Sequence, residues 1–296
     1  MQTLESLKER IGTVELLQSV VRTMKTLAAV SIRQHEKAIE SLADYSMVIE
    51  LGLSIVLREG IHEKFEKPLF TDGNLGAIVI GSDQGLCGRF NEQIVAHTLE
   101  KLALIEPMES RRILVCVGTR AHMHLAESGE KVEECLSAPV STTGIIPTVQ
   151  RILLTIEEWQ ARLNLNRIII FYNHFLNGAS YRPELLHLMP IDRTWLRNLA
   201  VRPWQGKTIP TFTMDRDRLF TLMIRQSLFI SLYRAFAESM ASENAARLAS
   251  MQAAERNIGE KLDELNFHFR DLRQSTITEE LLDIVSGFET LTAKRL

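Results

Sequence analysis

A glycine-rich turn contains the first residues whose types and spacing could support chemistry. Residues 81–91, GSDQGLCGRFN, follow an apolar run and precede a predicted helix, which is where phosphate-binding loops occur. The turn lacks the lysine-serine or lysine-threonine ending of a Walker A loop and the GxGxxG spacing of a dinucleotide fold. The sequence therefore favours a tight structural turn over a nucleotide site.

Other candidate reactive residues are scattered. Cys87 in the turn could act as a nucleophile at a helix N-terminus, but the sequence places no histidine beside it. His122 and His124 are two residues apart, which directs them to different sides of a helix, so metal binding is improbable. His174 and His187 are isolated, and the chain has no GxSxG or HExxH motif. We therefore expect no catalytic residues, no metal site and no cofactor.

Composition indicates an ordinary globular protein. Of the 296 residues, 45% are apolar and 24% are charged, and the net charge is −3, which disfavours a nucleic-acid partner. The three cysteines form no CxxC pair, so a reducing compartment is expected. Charges in the N-terminal segment MQTLESLKERIG argue against a signal peptide. No apolar run approaches the roughly 20 residues that span a bilayer, so we expect membrane association only through partners.

The distribution of prolines indicates two long helices. All eight prolines lie between Pro68 and Pro210, and a proline inside a helix costs about 3 kcal/mol or more. Both flanking segments are therefore free to be helical, with Gly60 as a plausible end of the first helix and Asp215 as a candidate N-cap of the second.

Hydrophobic spacing supports both helices. In the N-terminal segment, steps of four and three residues give fifteen positions, eleven of them apolar, as a coiled-coil seam requires. These seam positions are Leu7, Ile11, Val14, Gln18, Val21, Lys25, Ala28, Ile32, His35, Ile39, Leu42, Ser46, Ile49, Leu53 and Val56. The C-terminal segment repeats the pattern, and its stretch ASENAARLASMQAAERN is rich in small residues that allow close helix packing.

The length of these helices predicts their arrangement. At a rise of about 1.5 Å per residue, they would be roughly 80 and 100 Å long, whereas a compact chain of this size has a radius of gyration of about 19 Å. We therefore expect the two helices to pair with each other and to project beyond a globular body.

The middle of the chain predicts a different architecture. Three short apolar runs, at 75–81, 112–118 and 167–173, are typical of buried strands in a largely parallel sheet. Helical stretches are expected near 91–104, 119–128 and 147–164. The predicted fold class is thus α/β, with a small Rossmann-like domain at 69–210 inserted between helices at 1–60 and 211–296 that form a long antiparallel coiled coil.

Three sequence blocks resemble the γ subunit of F-type ATP synthases, in matching order along nearly the whole chain. Residues 20–29, VVRTMKTLAA, are similar to the family's KAMxMVAA segment, and residues 82–91, SDQGLCGRFN, to its SDRGLCG-x-FN turn. Residues 241–247, ASENAAR, and 273–287, RQSTITEELLDIVSG, resemble its C-terminal signature.

The sequence also departs from the family pattern. Gln84, Ser31 and Phe288 replace common family residues, and residues 289–296 continue past the usual end. These departures suggest a divergent branch, such as a second F-type ATPase beside a housekeeping one.

The resemblance implies a non-catalytic central rotor shaft. In the family, the paired helices fill the cavity of a head of three α and three β subunits, and the lower part binds the ε subunit and the membrane ring of c subunits. Rotation then couples proton or sodium flow to ATP synthesis or hydrolysis. The implied location is peripheral, on the cytoplasmic face of a bacterial inner membrane.

The resemblance also implies contact residues for the α/β head. Arg273, Gln274 and Thr278 align with polar positions that bond to a loop of the catalytic subunit, and Met24 and Lys25 with a segment that faces an acidic lever of β. From the residues alone, Met24 could equally be seam packing and Lys25 a solvated charge.

Two other interpretations stay open at this point. One is a coiled-coil scaffold protein, which would self-associate through its helices. The other is an α/β enzyme with helical oligomerisation arms, which would have a ligand pocket near residues 81–91.

Overall fold

A computed structural model of the chain describes residues 3–58, 73–163, 165–176, 180–204 and 210–293. These residues form two compact units, one of residues 1–27 with 250–296 and one of residues 28–249. In chain order the elements are α1 (Leu4–Arg58), β1 (Asn74–Ile80), α2 (Phe90–Ile105), β2 (Arg112–Val117), α3 (Thr119–Glu127), β3 (Val132–Leu136), α4 (Thr142–Leu163), β4 (Leu165–Phe175), β5 (Tyr181–Met189), α5 (Arg193–Val201) and α6 (Arg216–Ala293).

A five-stranded sheet forms the centre of the larger unit. Its strand order is β3-β2-β1-β4-β5. The pairs β1–β2, β1–β4 and β2–β3 are parallel, and only β4–β5 is antiparallel. The apolar runs predicted as strands are β1, β2 and β4, and the largely parallel character of the sheet is confirmed.

Helices cover both faces of this sheet. On one face, Ile78, Val115 and Ile170 of the strands pack against Ile152 of α4 and Phe236 of α6. The other face packs against α2 and α3 through Ile94, Leu102 and Leu125. Because both faces are buried, the central strands consist of nearly continuous apolar residues, which is why they were predictable.

Several elements were not predicted from the sequence. β3 contains two glutamates in five residues and β5 contains Pro183. Both are edge strands, where one side of the ladder is unpaired and proline is tolerated. α5 was also missed, and α4 begins at Thr142, five residues before Pro147.

The seam predicted for α1 matches its shielded face. Every one of its fifteen positions is buried or half-buried, and Leu7, Ala28, Leu53 and Val56 are among the core residues. The face of α1 that the 4-3 spacing selects is thus the face that packs.

Pairing of α1 with α6 is antiparallel within each unit. In the larger unit, the guanidinium of Arg216 bonds to the carbonyl of Val56 near the end of α1, and Gly52 of α1 lies against the side chain of Met223. In the smaller unit, Lys25 contacts Glu255, while Arg10 lies close enough to Glu264 to influence its charge. Since the residue numbers run in opposite directions, the predicted antiparallel pair and the predicted fold class are confirmed.

The predicted boundaries have mixed outcomes. Asp215 is the N-cap of α6, since its Oδ1 accepts from Arg218 N at 3.0 Å. Gly60 lies outside the described residues. The division into segments 1–60, 69–210 and 211–296 stays a prediction. Within the described residues, no helix is long and apolar enough to cross a membrane.

A histidine lies in the α1 seam. His35 is 3% exposed, and its Nδ1 has no hydrogen-bond partner in the described part of the chain. Burial lowers the pKa of His35 from 6.5 to about 4, because desolvation disfavours the imidazolium. The folded state therefore requires a neutral imidazole at this position.

Acid is expected to destabilise the larger unit through His35. Because the folded pKa lies below the unfolded value, the contribution of neutral His35 is complete above about pH 6.5 and is lost as the pH falls toward about 4. Between pH 7.5 and 5, the free energy of unfolding of the wild type should fall by about 2 kcal/mol more than that of His35→Leu. Urea titrations at both pH values measure this difference.

The matched control is His268→Leu, which replaces an exposed histidine of α6. Between pH 7.5 and 5, its free energy of unfolding should fall by as much as that of the wild type. Equal losses in the wild type and His35→Leu would contradict the assigned role of His35.

Candidate functional site

The turn at 81–91 is held by its own side chains. Asn91 Oδ1 accepts from Ser82 N at 3.0 Å, and Asn91 Nδ2 donates to Ser82 Oγ at 2.9 Å. The N–H of Phe90, at the start of α2, donates to the Cys87 carbonyl at 3.2 Å. Two amide donors that a phosphate could use are therefore occupied within the turn.

Cys87 is a packing residue of this turn. Its side chain is 2% exposed and lies against Phe90 and Ala246. Burial raises the pKa of the Cys87 thiol, which keeps the thiolate, the nucleophilic form, scarce. The environment thus opposes the role of nucleophile that the sequence left open.

Asp83 connects the turn to two other elements. Its Oδ1 accepts from Thr119 N at the start of α3, and its Oδ2 accepts from Ala138 N after β3, both at 2.8 Å. One carboxylate therefore joins the segments that follow β1, β2 and β3 at the same edge of the sheet.

The turn also contacts α6. Arg247 donates to the Gly85 carbonyl at 3.4 Å and to Glu243 Oε1 at 2.6 Å, and Asn244 Oδ1 accepts from it at 3.3 Å. Burial raises the pKa of Glu243, and Arg247 opposes that shift. The central and C-terminal sequence blocks, about 160 residues apart, therefore meet in space.

In the smaller unit, Lys25 belongs to an ion cluster. Lys25 Nζ lies 2.5 Å from Glu255 Oε2, and Arg22 Nε lies 3.1 Å from Glu255 Oε1. The hydrogen bond from Lys25, followed by that from Arg22, lowers the pKa of Glu255. Lys25 is therefore neither a seam residue alone nor a freely solvated charge, and Met24 beside it is half-buried.

The three C-terminal candidates are exposed on α6. Thr278 Oγ1 donates to the Gln274 carbonyl at 2.8 Å within the helix. In the part of α6 whose side chains are described, the side chains of Arg273 and Gln274 make no hydrogen bond. The side-chain donors of Arg273 and Gln274 are therefore available to a partner. Met24 and Lys25 belong to the other long helix, α1, some 250 residues earlier in the sequence.

Exposed apolar side chains surround both groups. On α1 these are Leu16, Leu17, Val20 and Leu27, between 48 and 66% exposed. On α6 they are Ile277, Leu281, Leu282, Ile284 and Val285, between 46 and 69% exposed. Contiguous exposed apolar surface marks interaction sites, so the smaller unit presents a surface for other proteins. The sequence analysis missed Arg22, Glu255 and these residues.

The fold defines the class of protein, an α/β domain carried by two long antiparallel helices with an exposed apolar surface. The model of the ATP synthase family matches residues 3–291, and the chain belongs to that family. It is 27% identical to the ATP synthase gamma chain of Pelagibacter ubique, over 98% of this chain and 100% of that relative. Identity to the gamma chain of Granulibacter bethesdensis is 28%, with the same coverage.

Solved structures share this fold. A chain of the Euglena gracilis mitochondrial ATP synthase (OSCP/F1/c-ring) has a TM-score of 0.63 at 15% identity, with coverage of 99% of this chain and 95% of that one. A chain of the Tetrahymena thermophila mitochondrial ATP synthase (central stalk/c-ring) has a TM-score of 0.60 at 22% identity, with coverage of 79% and 99%.

Asp83→Ala is expected to destabilise the larger unit by about 3 kcal/mol, because two backbone N–H groups lose a charged acceptor. Asp83→Asn keeps one acceptor oxygen and should lose less. The control is Asp44→Ala, an exposed residue of α1, which should stay near the wild type. Chemical denaturation measures all four proteins, and an Asp83→Ala value equal to that of Asp44→Ala would refute the connecting role.

Proposed function

We propose that the chain is the γ subunit of an F-type ATP synthase, the central shaft that couples ion flow in a membrane ring to ATP synthesis or hydrolysis in an α/β head. The family match over residues 3–291 supports this function. The observation that carries it is the exposed apolar surface of the smaller unit, on α1 and on α6 beyond Ile277. Such a surface on a long helical pair fits a cavity formed by several partner subunits.

We propose that three α and three β subunits surround the helical pair. The ε subunit and the c-ring bind the remainder of the chain. The proposed location is peripheral, on the cytoplasmic face of a bacterial inner membrane, and the bacterial gamma-chain relatives support it. The shaft itself is non-catalytic. The occupied turn amides and the buried thiol of Cys87 support that part of the proposal.

In the proposed mechanism the shaft acts as an asymmetric ligand of the α/β head, and this asymmetry couples ion flow to ATP chemistry. One ion that crosses 100 mV supplies about 2.3 kcal/mol, so several ions must act on the shaft for each ATP. The shaft presents exposed residues of two different helices, among them Leu16 and Leu17 of α1 and Arg273 and Gln274 of α6. Each β subunit therefore contacts a different surface at a given angle, and the difference in contact energy shifts its conformation.

Assembly tests the proposal directly. The chain is co-expressed with the α and β subunits of the same genome, and native mass spectrometry is combined with an ATPase assay. A complex of three α, three β and one copy of this chain, with altered ATPase activity, is expected. Assembly of α and β without the chain, which then runs alone or as a homo-oligomer, would favour the scaffold interpretation.

Arg273→Ala with Gln274→Ala tests the C-terminal contact residues. Because both side chains are exposed and free to bond to a partner, the double variant should fold normally but show weaker coupling of ATP hydrolysis to ion pumping. Loss of one hydrogen bond to a charged group corresponds to about 2 kcal/mol, which is enough to reduce pumping several-fold.

The control for this pair is Arg256→Ala, which removes an exposed arginine of α6 about 25 Å along the helix. If the assembled double variant pumps ions as fast as this control, Arg273 and Gln274 are not contact residues.

A further inference from the structure

The sheet has a crevice where α/β folds commonly bind ligands. From β1 the chain proceeds to β2 and then β3 on one side, whereas β4 lies on the other side of β1. The strand order therefore reverses between β1 and β4, and ligands in this fold type bind at the carboxyl ends of the strands at such a point. Here those ends are near Ile80 of β1 and Asn173 of β4, which lie at neighbouring register positions.

Helix α6 occupies this crevice. Ser242 Oγ lies 2.8 Å from the Asn173 carbonyl and also 2.8 Å from the Glu238 carbonyl of its own helix, and Ser239 Oγ lies 3.5 Å from the Ile80 carbonyl. Both serines are at most 1% exposed. Asn173 Nδ2 donates to the carbonyl of Phe90 at 3.4 Å.

Small residues allow this close approach. Ala237, Ala241 and Ala245 of α6 follow one another at intervals of four residues and are all fully buried, so they lie along one face of the helix. The serines occur among these alanines and bring a hydroxyl close to the carbonyls of Ile80 and Asn173.

Two further polar contacts lie beside the serines. One turn earlier, Glu238 Oε2 lies 2.5 Å from His174 Nδ1 of β4, and Glu238 is only 7% exposed. One turn later, Arg247 bonds to the carbonyl of Gly85 in the turn. Four polar side chains of this stretch therefore contact β1, β4 or the turn after β1, namely Glu238, Ser239, Ser242 and Arg247.

We infer that the crevice between β1 and β4 is an internal docking site for α6, and that Ser242 is a positioning residue that transmits load between α6 and the sheet. This inference rests on the proposed function, in which the α/β domain is held by the membrane ring while the helical pair turns in the head. Under such load α6 must neither slide nor rotate on the sheet. Directional hydrogen bonds oppose both sliding and rotation, because their strength falls steeply with misalignment.

The test uses two substitutions of equal size in the complete ATP synthase complex. Ser242→Val removes the hydroxyl donor, whereas Ser242→Thr adds the same bulk and retains the hydroxyl. We expect Ser242→Val to lower the ratio of ions pumped to ATP hydrolysed several-fold, while ATP hydrolysis by the isolated head with its shaft stays near the wild-type rate. Ser242→Thr should recover most of the ratio.

Ser231→Val is the positional control, because Ser231 Oγ bonds to the carbonyl four residues earlier in α6, as Ser242 Oγ also does. The variant therefore shows the effect of losing that helical bond alone, and it should leave the ratio unchanged. Equal ratios in Ser242→Val and Ser242→Thr, whether lowered or normal, would show that the hydroxyl does not transmit load and would overturn the inference. A parallel fall in hydrolysis by the isolated head would do the same. Failure of the wild-type chain to assemble with α and β would instead refute the proposed function.

A second measurement covers the case in which Ser242→Val does not fold. Amide hydrogen exchange of the wild-type complex should protect residues 239–246 as strongly as the central strands β1 and β4, because a load-bearing contact opens only with the whole unit. Rapid exchange in this segment while the strands stay protected would overturn the inference.

Discussion

Burial of one face of each long helix is the constraint on which the architecture of both units depends. An isolated helix is marginal in water, and most helical stability in proteins comes from packing of an apolar face. The 55 residues of α1 and the 78 of α6 therefore need a partner along their length. In the larger unit that partner includes the sheet, since Phe236 and Leu232 of α6 belong to the same apolar cluster as Ile78 and Ile170.

The sheet is fixed to its surroundings at one edge. Asp83, Asn91 and Arg247 connect the segments after β1, β2 and β3 to one another and to α6. Because the central strands are covered on both faces, their carboxyl ends would otherwise leave buried polar groups without partners, which is costly. The turn at 81–91 thus combines three tasks, closing β1, starting α2 and meeting α6, and two of its amide donors are already occupied.

Much of the fold could be predicted because local patterns report it directly. The 4-3 spacing selected the shielded face of α1, and continuous apolar runs marked β1, β2 and β4. The edge strands were missed because exposure on one side removes that signal, as Pro183 in β5 illustrates. The pairing of Lys25 with Glu255 depends on the register of two helices 230 residues apart in sequence, and no local pattern encodes that register.

The candidate contact surface was less accessible to sequence reasoning. Leu16, Leu17 and Val20 lie outside the 4-3 seam of α1, and in the structure they are between 48 and 66% exposed. The spacing separates them from the packed face but does not indicate that apolar side chains there form a surface for a partner. The resemblance selected Arg273 and Gln274, and the structure places both on the exposed surface of α6.

Two kinds of contact divide the chain according to the demands of the proposed rotation. Hydrophobic contact is non-directional and depends on buried area, so an apolar surface can stay in favourable contact with its surroundings while it turns. Hydrogen bonds require alignment, so they hold one orientation and resist displacement. The smaller unit presents Leu281, Ile284 and their neighbours to its surroundings, whereas the junction of α6 with the sheet concentrates buried donors at Ser239 and Ser242. Directional bonds thus occur where α6 must not slip on the sheet, whereas the surface that would move against partners includes exposed apolar side chains beside the proposed polar contacts Arg273 and Gln274.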